Sequence, residues 1–267
     1  MDTRLKRVLT IAGSDSSGGA GIQADLRVFA ELGVYGMCAV TAVTAQNSFG
    51  VQKVEKTAPR IVAAQIDSCV RDIGVDACKI GMLYSHQIVS AVAERLRRRE
   101  IKRVVLDPVT FAKDGTRLLL SKAVDRMKHQ LLPLCELVAP NLEESSLLSK
   151  IEVKDVPSAV DAAKAIFAMG SRNVLIKGGH FAGEPIDVLF DGENVYEFRG
   201  SRVENRVMHG TGCVLTAAIA GRLALGDSVY DAVKFAKDYV ERAIRSSVEL
   251  GKGGLWYFNG VGGGFVC

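Results

Sequence analysis

Short apolar runs alternate with longer amphipathic stretches along most of the chain, and this alternation strongly constrains the fold. We predict strands at six of these runs: Val8–Ala12, Met37–Ala45, Ala77–Met82, Arg103–Leu106, Leu137–Ala139 and Val174–Ile176. Apolar residues at helical spacing predict helices between and after them, over 22–32, 59–73, 86–100, 117–131, 157–169, 212–225 and 228–249. Strand–helix units at this pitch form a mostly parallel sheet with helices on both faces. The sequence therefore predicts an α/β fold.

The stretch from Ile186 to Phe198 departs from this alternation. Two short apolar runs, Val188–Phe190 and Val195–Phe198, flank an Asp-Gly turn signal at Asp191 and Gly192. This arrangement predicts a small antiparallel hairpin. The sequence contains no repeat and no linker, so we expect one domain over residues 1–267, with the glycine-rich tail 251–267 the hardest part to predict.

Charge and cysteine usage narrow the possible partners. The 34 basic and 30 acidic residues leave a net charge of only +4, and the densest basic run, Arg95 with Arg97–Arg99, follows an apolar helical stripe. A solvated helix face explains this run better than a nucleic-acid site. The six cysteines form no Cys-x-x-Cys pair, which indicates free thiols in a reducing cytosol. Since no apolar stretch approaches the roughly 20 residues of a membrane span, we expect a cytoplasmic protein with no membrane partner.

Polar motifs follow the predicted strands, and ligands of open parallel sheets bind beyond the carboxyl ends of strands. The loop from Gly13 to Gly21 follows the first strand, and its glycines either allow a ligand to approach closely or make a tight turn. Gln46 and Asn47 end the second strand. An amide there suits the edge of a pyrimidine or pyridine ring, although a strand cap or a turn at Gln-Asn is the more common role for these residues.

Two further strand ends carry oxygen ligands. Asp107 follows the strand Arg103–Leu106 and either binds Mg²⁺ through water or simply begins a turn before Pro108. Asn141 and Glu144 lie three residues apart at a predicted helix start. They are suited to ordering the water shell of a nucleotide-bound Mg²⁺, and equally suited to capping the helix.

Lys177 ends a buried strand and precedes two glycines. A buried amine is costly unless it reaches an anion, and the phosphates of a nucleotide would serve. The alternative is that the side chain extends to solvent.

The most informative motif is Gly210-Thr211-Gly212-Cys213, at the start of a helix of small residues. The free N–H groups of a helix start bind anions and would stabilise a phosphoryl group in transfer. The same helix start would lower the pKa of the Cys213 thiol and make it partly thiolate. An inert cysteine packed against the helix is the alternative.

Seven sequence phrases together resemble the hydroxymethylpyrimidine and phosphomethylpyrimidine kinases of thiamine biosynthesis, a branch of the ribokinase-like family. They are IAGSDSSGGAGIQADL, TAVTAQNSFGVQ, VDACKIGML, VVLDPV, APNLEE, VLIKGGH and HGTGC, spread over roughly residues 7 to 250. The resemblance implies a three-layer α/β/α fold, usually dimeric. It also implies transfer of phosphate from ATP, with Mg²⁺, to the hydroxymethyl group of an aminopyrimidine and then to the monophosphate.

The resemblance also implies roles for the residues named above. Cys213 would be the catalytic base, with Gly210, Thr211 and Gly212 as the anion hole and Lys177 on the transferred phosphate. Asn141, Glu144 and Asp107 would lie near a Mg²⁺ ion carried by ATP, without a dedicated protein cage. The pyrimidine pocket would be lined by Gly13, Asp25, Gln46, Met82, Val109 and His209.

Two other functions fit parts of this pattern. A pyridoxal or pyridoxine kinase shares the fold and often the Gly-Thr-Gly-Cys loop, but members that favour pyridoxal tend to carry an apolar residue at the position of Gln46. A non-catalytic pyrimidine-binding module would not need Lys177, Asn141, Glu144 and Cys213 together. The tail 251–258 lacks the Gly-His-Gly-Pro-Leu-Asn phrase common in the family, and the segment 111–117 is a candidate lid.

Overall fold

A computed structural model of the chain describes residues 5–112, 114–179, 181, 183–203 and 206–260. Its strands are β1 Arg7–Asp15, β2 Tyr35–Asn47, β3 Gly50–Lys56, β4 Ala77–Ile80, β5 Val104–Leu106, β6 Leu137–Val138, β7 Val174–Ile176, β8 Ile186–Phe190, β9 Val195–Arg199, β10 Val248–Glu249 and β11 Trp256–Tyr257. Its α-helices are α1 Gly21–Glu31, α2 Pro59–Asp72, α3 His86–Arg98, α4 Ser121–Gln130, α5 Leu142–Ser149, α6 Val156–Phe167, α7 Thr211–Leu225 and α8 Val229–Ser246.

Strands β1 to β9 form one sheet in the order β3-β2-β1-β4-β5-β6-β7-β8-β9. The central strands β2, β1, β4, β5, β6 and β7 are parallel, whereas β3 and the hairpin β8–β9 add antiparallel edges. The predicted mostly parallel sheet and its small antiparallel hairpin are confirmed.

Side chains alternate between the two faces of this sheet, and each face packs against its own layer of helices. Val8 contributes to the apolar cluster that contains residues of α1, α7 and α8. The next residue, Leu9, contributes to the cluster with residues of α2, α3, α4 and α6. This period of two follows from strand geometry and produces three layers, helix, sheet and helix. We propose that the chain forms one domain, because a single sheet runs between both clusters.

Some elements differ from the predicted ones. Strand β3 was not predicted, and helix α5 was predicted only by its start at Asn141. Helix α4 begins at Ser121 rather than at residue 117 because Leu118 and Leu119 hydrogen bond to the Thr110 carbonyl. Helix α8 ends at Ser246, and Val248–Glu249 then pairs with β11. Lys113 in the candidate lid and residues 261–267 of the tail lie outside the described residues.

Over the part of the chain that the structure describes, no helix is both long enough and apolar enough to cross a membrane.

Candidate active site

A cavity of about 640 Å³ opens beyond the carboxyl ends of the parallel strands. Its lining comes from the loop after β1, the residues after β4, β5, β6 and β7, and the start of α7. Of the residues expected at the site from sequence, all but one line this cavity: Gly13, Gln46, Met82, Asp107, Val109, Asn141, Glu144, Lys177, His209, Gly210, Thr211, Gly212 and Cys213. The strand-end rule therefore correctly located the cavity.

Backbone glycines allow the loops of the cavity to approach one another. Gly210 precedes the first turn of α7 with φ of 77°, and a Cβ atom there would collide with the carbonyl oxygen of Gly19. A Cβ at Gly13 would lie 2.9 Å from the sulfur of Met82. Gly210 therefore needs a residue without a side chain, whereas a side chain at Gly13 would displace the flexible end of Met82.

Lys177 and Asp107 form an ion pair at the start of α7. Their side-chain nitrogen and oxygen are 2.5 Å apart, and the two side chains are only 12% and 2% exposed. A Cβ built on Gly212 would lie 3.2 Å from Lys177 Nζ, so the ammonium lies directly against the predicted anion hole. Burial opposes the charge of Lys177, but Asp107 and Glu144 outweigh it and raise the pKa of the amine. The cavity therefore places a fixed positive charge beside the free N–H groups of a helix start.

Asn141 and Glu144 form a capping box at the start of α5. The Asn141 side chain accepts from the Glu144 backbone at 2.8 Å, and the Glu144 carboxylate accepts from the Asn141 backbone at 2.8 Å. Burial raises the pKa of Glu144 to about 7, against the opposing attraction of Lys177. The capping interpretation is thus correct, and the same side chains also face the cavity.

Asp25 is not among the residues that line the cavity, and its place in the pyrimidine pocket stays a prediction. Its carboxylate is fully buried, and both oxygens lie 2.9 Å from Lys79 Nζ. Thr10 donates a further hydrogen bond of 2.6 Å to it. Because a carboxylate without solvent needs a nearby cation, Asp25 pairs with Lys79.

Lys79 does line the cavity, and sequence reasoning missed it. Burial opposes its charge, but the Asp25 carboxylate outweighs burial and raises the pKa of the amine. Burial also raises the pKa of Asp25, in the direction of neutralisation. We take the pair as ionised, because Lys79 and Thr10 together give the carboxylate three short hydrogen bonds. A lysine inside the otherwise apolar strand β4 was the sequence feature that could have indicated a buried ion pair.

Cys213 is half-buried at the start of α7 and is less acidic than expected. Burial raises the pKa of its thiol to about 11, although Lys79 and a hydrogen bond with the Gly21 backbone act in the opposite direction. The expectation of a partly ionised thiol is therefore wrong for the protein without ligands. Loss of hydration outweighs the nearby cation and the backbone hydrogen bond.

This pKa predicts how Cys213 reacts with iodoacetamide. Since only the thiolate is alkylated, the rate at Cys213 should rise about tenfold for each pH unit between about pH 7 and pH 10. Peptide mass spectrometry would follow Cys213 separately from the half-buried thiols Cys38 and Cys69. A rate that levels off near pH 7 would show an acidic thiol instead.

The glycine loop after β1, the end of β2 and the start of α7 meet at His209. Its Nε2 atom lies 3.0 Å from Asp15 Oδ2 and 3.0 Å from the side-chain nitrogen of Gln46. Thr44 Oγ1 lies 3.2 Å from the Gln46 side-chain oxygen. Asp15 and Thr44 line the cavity but were not singled out from sequence.

The described part of the tail holds this loop in place. The His209 backbone donates to the Trp256 carbonyl at 2.7 Å, and the Trp256 backbone donates to Val207 at 3.1 Å. The Tyr257 ring packs edge-on against the His209 imidazole, with ring centroids 5.9 Å apart. The tail thus supports the cavity wall although it lacks the usual family phrase.

Phe111 and Ala112, at the start of the candidate lid, line the edge of the cavity. Ala112 donates its backbone N–H to Thr116, and the Arg117 guanidinium lies 4.8 Å from the Phe111 ring centre. Asp114 accepts the Val51 backbone N–H at 2.8 Å, which joins this turn to the start of β3.

Comparison with solved structures identifies the fold class. A Bacillus subtilis pyridoxal kinase, solved as an ADP complex, superposes with a TM-score of 0.86 at 38% identity, covering 93% of this chain and 95% of that one. The three-layer ribokinase-like fold is confirmed.

Sequence comparison then identifies the family. The phosphomethylpyrimidine kinase family model matches residues 15–256. The hydroxymethylpyrimidine/phosphomethylpyrimidine kinase of Streptomyces coelicolor is 48% identical over 246 residues, covering 92% of this chain and 91% of the relative. The thiamine biosynthesis bifunctional protein ThiED of Geobacter sulfurreducens is 45% identical over 247 residues, or 92% of this chain, which spans 50% of that protein's length. The chain belongs to the phosphomethylpyrimidine kinase family of phosphotransferases.

Proposed function

We propose that this protein transfers the γ-phosphoryl group of ATP to the hydroxymethyl group of 4-amino-5-hydroxymethyl-2-methylpyrimidine, and then phosphorylates the monophosphate to the diphosphate, for thiamine biosynthesis. The observation that carries the proposal is the meeting of Lys177 and Gly212 at the start of α7, in the cavity that Cys213 and Gln46 also line. The name of the Streptomyces relative supports the choice of substrate.

The proposed chemistry uses the residues at the start of α7. The hydroxymethyl oxygen attacks the γ-phosphorus while the bond to the oxygen bridging the β-phosphate breaks. The N–H groups of residues 210–212 and the Lys177 ammonium stabilise the charge that spreads over the equatorial oxygens. Cys213 accepts the hydroxyl proton when it is ionised. Since the transition state of phosphoryl transfer is loose, the hydroxyl proton can leave late, and the thiolate form of Cys213, a stronger base because its pKa is raised, can accept it.

The chemistry of the site suits a Mg²⁺ ion bound to the nucleotide. Glu144 and Asp107 present carboxylate oxygens at the cavity, and oxygen is the ligand that Mg²⁺ prefers. Across the described residues, no group of three or more histidine, cysteine or acidic side chains gathers to hold an ion. We propose that these carboxylates hold the ion through its water molecules. When bound, Mg²⁺ neutralises charge on the phosphates.

The rates with three acceptors test the proposal. We expect turnover with hydroxymethylpyrimidine and with its monophosphate to exceed turnover with pyridoxine, because Gln46 offers the ring edge both a donor and an acceptor. Initial rates at equal concentrations, with ATP and Mg²⁺, measure this order. Pyridoxine as the fastest acceptor would favour the function named for the Bacillus neighbour. Binding without turnover of any acceptor would indicate a non-catalytic module.

We also propose a homodimer in the cytosol, with the small-molecule acceptor and ATP as its partners. The family resemblance and the exposed side chains of Val43 and Phe49, 54% and 67% accessible, support a second copy of the chain. The free thiols of the five described cysteines are consistent with a reducing compartment.

A further inference from the structure

The Nε2 atom of His209 lies between an acceptor, the Asp15 carboxylate, and a donor, the Gln46 amide nitrogen. Asp15 Oδ2 and the atom assigned as the Gln46 amide nitrogen each lie 3.0 Å away. A ring nitrogen carries either a hydrogen or a lone pair. It cannot donate to the carboxylate and accept from an amide nitrogen at the same time.

The hydrogen bonds around Asp15 show whether Nε2 donates or accepts. Oδ1 accepts hydrogen bonds of 2.8 Å from the backbone and the hydroxyl of Ser17, and Oδ2 accepts one of 2.9 Å from the Ala20 backbone. Burial opposes its charge, but the bonds from His209 and Ser17 prevail and lower the pKa of Asp15. An ionised carboxylate only accepts hydrogen bonds, so the hydrogen must be on His209 Nε2.

We infer that His209 carries its hydrogen on Nε2 and that the Gln46 carboxamide is turned so that its oxygen, not its nitrogen, faces His209. The two ends of an amide are almost isosteric, so the turn needs no other movement. The amide nitrogen then faces Thr44 Oγ1, 3.2 Å away. That hydroxyl already donates to the Ser14 carbonyl at 3.0 Å and is therefore free to accept. Each contact of the relay Asp15–His209–Gln46–Thr44 then joins a donor to an acceptor.

This relay sets what Gln46 can offer to a ligand. The Gln46 oxygen, on the side of His209, keeps one lone pair for a ligand, and the nitrogen, on the side of Thr44, keeps one N–H. A ring nitrogen beside an amino group, as in an aminopyrimidine, complements this pair of groups. Pyridoxine has no amino group beside its ring nitrogen. Asp15 and His209 are thus positioning residues for substrate selection, an inference about the ring that rests on the proposed function.

The substitution Asp15→Asn tests the relay. The side-chain oxygen of the new amide takes the Oδ1 position, because Ser17 offers two donors there and Ala20 offers only one at Oδ2. The amide nitrogen then donates to Nε2, which moves the hydrogen of His209 to Nδ1 and turns the Gln46 amide back. We expect the KM for hydroxymethylpyrimidine to rise about 10- to 100-fold, with a smaller change in kcat and in the KM for pyridoxine, because donor and acceptor are exchanged. The matched control is Ser17→Ala, which removes a bond to the other oxygen of Asp15 and should change KM less than about threefold.

Nitrogen NMR of protein labelled at its four histidines reads the tautomer directly. A His209→Gln variant assigns the signal. We expect Nε2–H in the wild type and Nδ1–H in Asp15→Asn. A wild-type His209 with an unprotonated Nε2 would overturn the inference, even if the variant fails to fold. Absence of aminopyrimidine turnover would instead reject the proposed function and leave the tautomer result standing.

Discussion

Replacing Cys213 with alanine should lower kcat by about 10² or more, the usual contribution of a positioned proton acceptor, while substrate binding changes little. The half-buried thiol lies at the start of α7, in the same cavity as Lys177 and Gln46. Because its pKa is raised to about 11, the wild-type rate should also increase with pH over the alkaline range. The alanine variant should lose this increase. Initial rates measured across pH give kcat and its pH dependence. Calorimetry in the presence of a non-hydrolysable ATP analogue gives the affinity for the substrate.

Two further variants separate proton transfer from placement of the substrate. Cys213→Ser keeps a hydrogen-bonding group but is a far weaker acid, so it should resemble the alanine variant. Cys38→Ala removes a half-buried thiol outside the cavity lining and should turn over at nearly the wild-type rate. If Cys213→Ala works at nearly the wild-type rate, Cys213 takes no part in the chemical step. If only Cys213→Ser retains activity, its role is orientation.

Replacing Lys79 with methionine should lower the free energy of unfolding by about 3–5 kcal/mol, since it leaves Asp25 as an unpaired buried charge. Both side chains of this ion pair are fully buried. The loss should shrink as pH falls. Burial raises the pKa of Asp25 in the folded state, so its protonation at low pH removes the unpaired charge. Urea unfolding at several pH values measures this change.

A second substitution tests whether charge explains the loss. Lys79→Met with Asp25→Asn removes both charges and keeps an acceptor for the Thr10 hydroxyl, so it should recover most of the stability. Arg98→Met breaks an exposed pair with Glu94 and should cost less than about 1 kcal/mol. A double variant no more stable than Lys79→Met alone would assign the loss to packing of the lysine stem.

The sheet and the rim of the cavity were predictable because they depend on local patterns. Apolar runs mark the buried parallel strands, and the carboxyl ends of such strands share one edge, which brings Asp107, Asn141 and Lys177 together. Strand β3 was not predicted, because it is an edge strand that pairs only with β2. Its sequence, Gly50–Lys56, has exposed polar positions that do not mark a buried strand.

Buried contacts between residues far apart in the sequence were not predictable in the same way. Lys79 and Asp25 are 54 positions apart, and His209 and Asp15 are 194 positions apart. Periodicity indicates which face a residue lies on, but it does not show which distant residue it meets. The pKa of Cys213 was misjudged for a related reason, because a helix start is visible in sequence whereas the loss of hydration is not.

The pairing of Trp256 with the loop before α7 bears on the order in which the protein is made. Chains fold progressively during translation, from the N-terminal side. Strands β1 to β9 are complete in sequence by Arg199, and they can associate before the ribosome reaches the tail. His209 gains its backbone partner only after Trp256 has been synthesised. A nascent chain stalled before that point would therefore have its sheet but not a finished cavity wall.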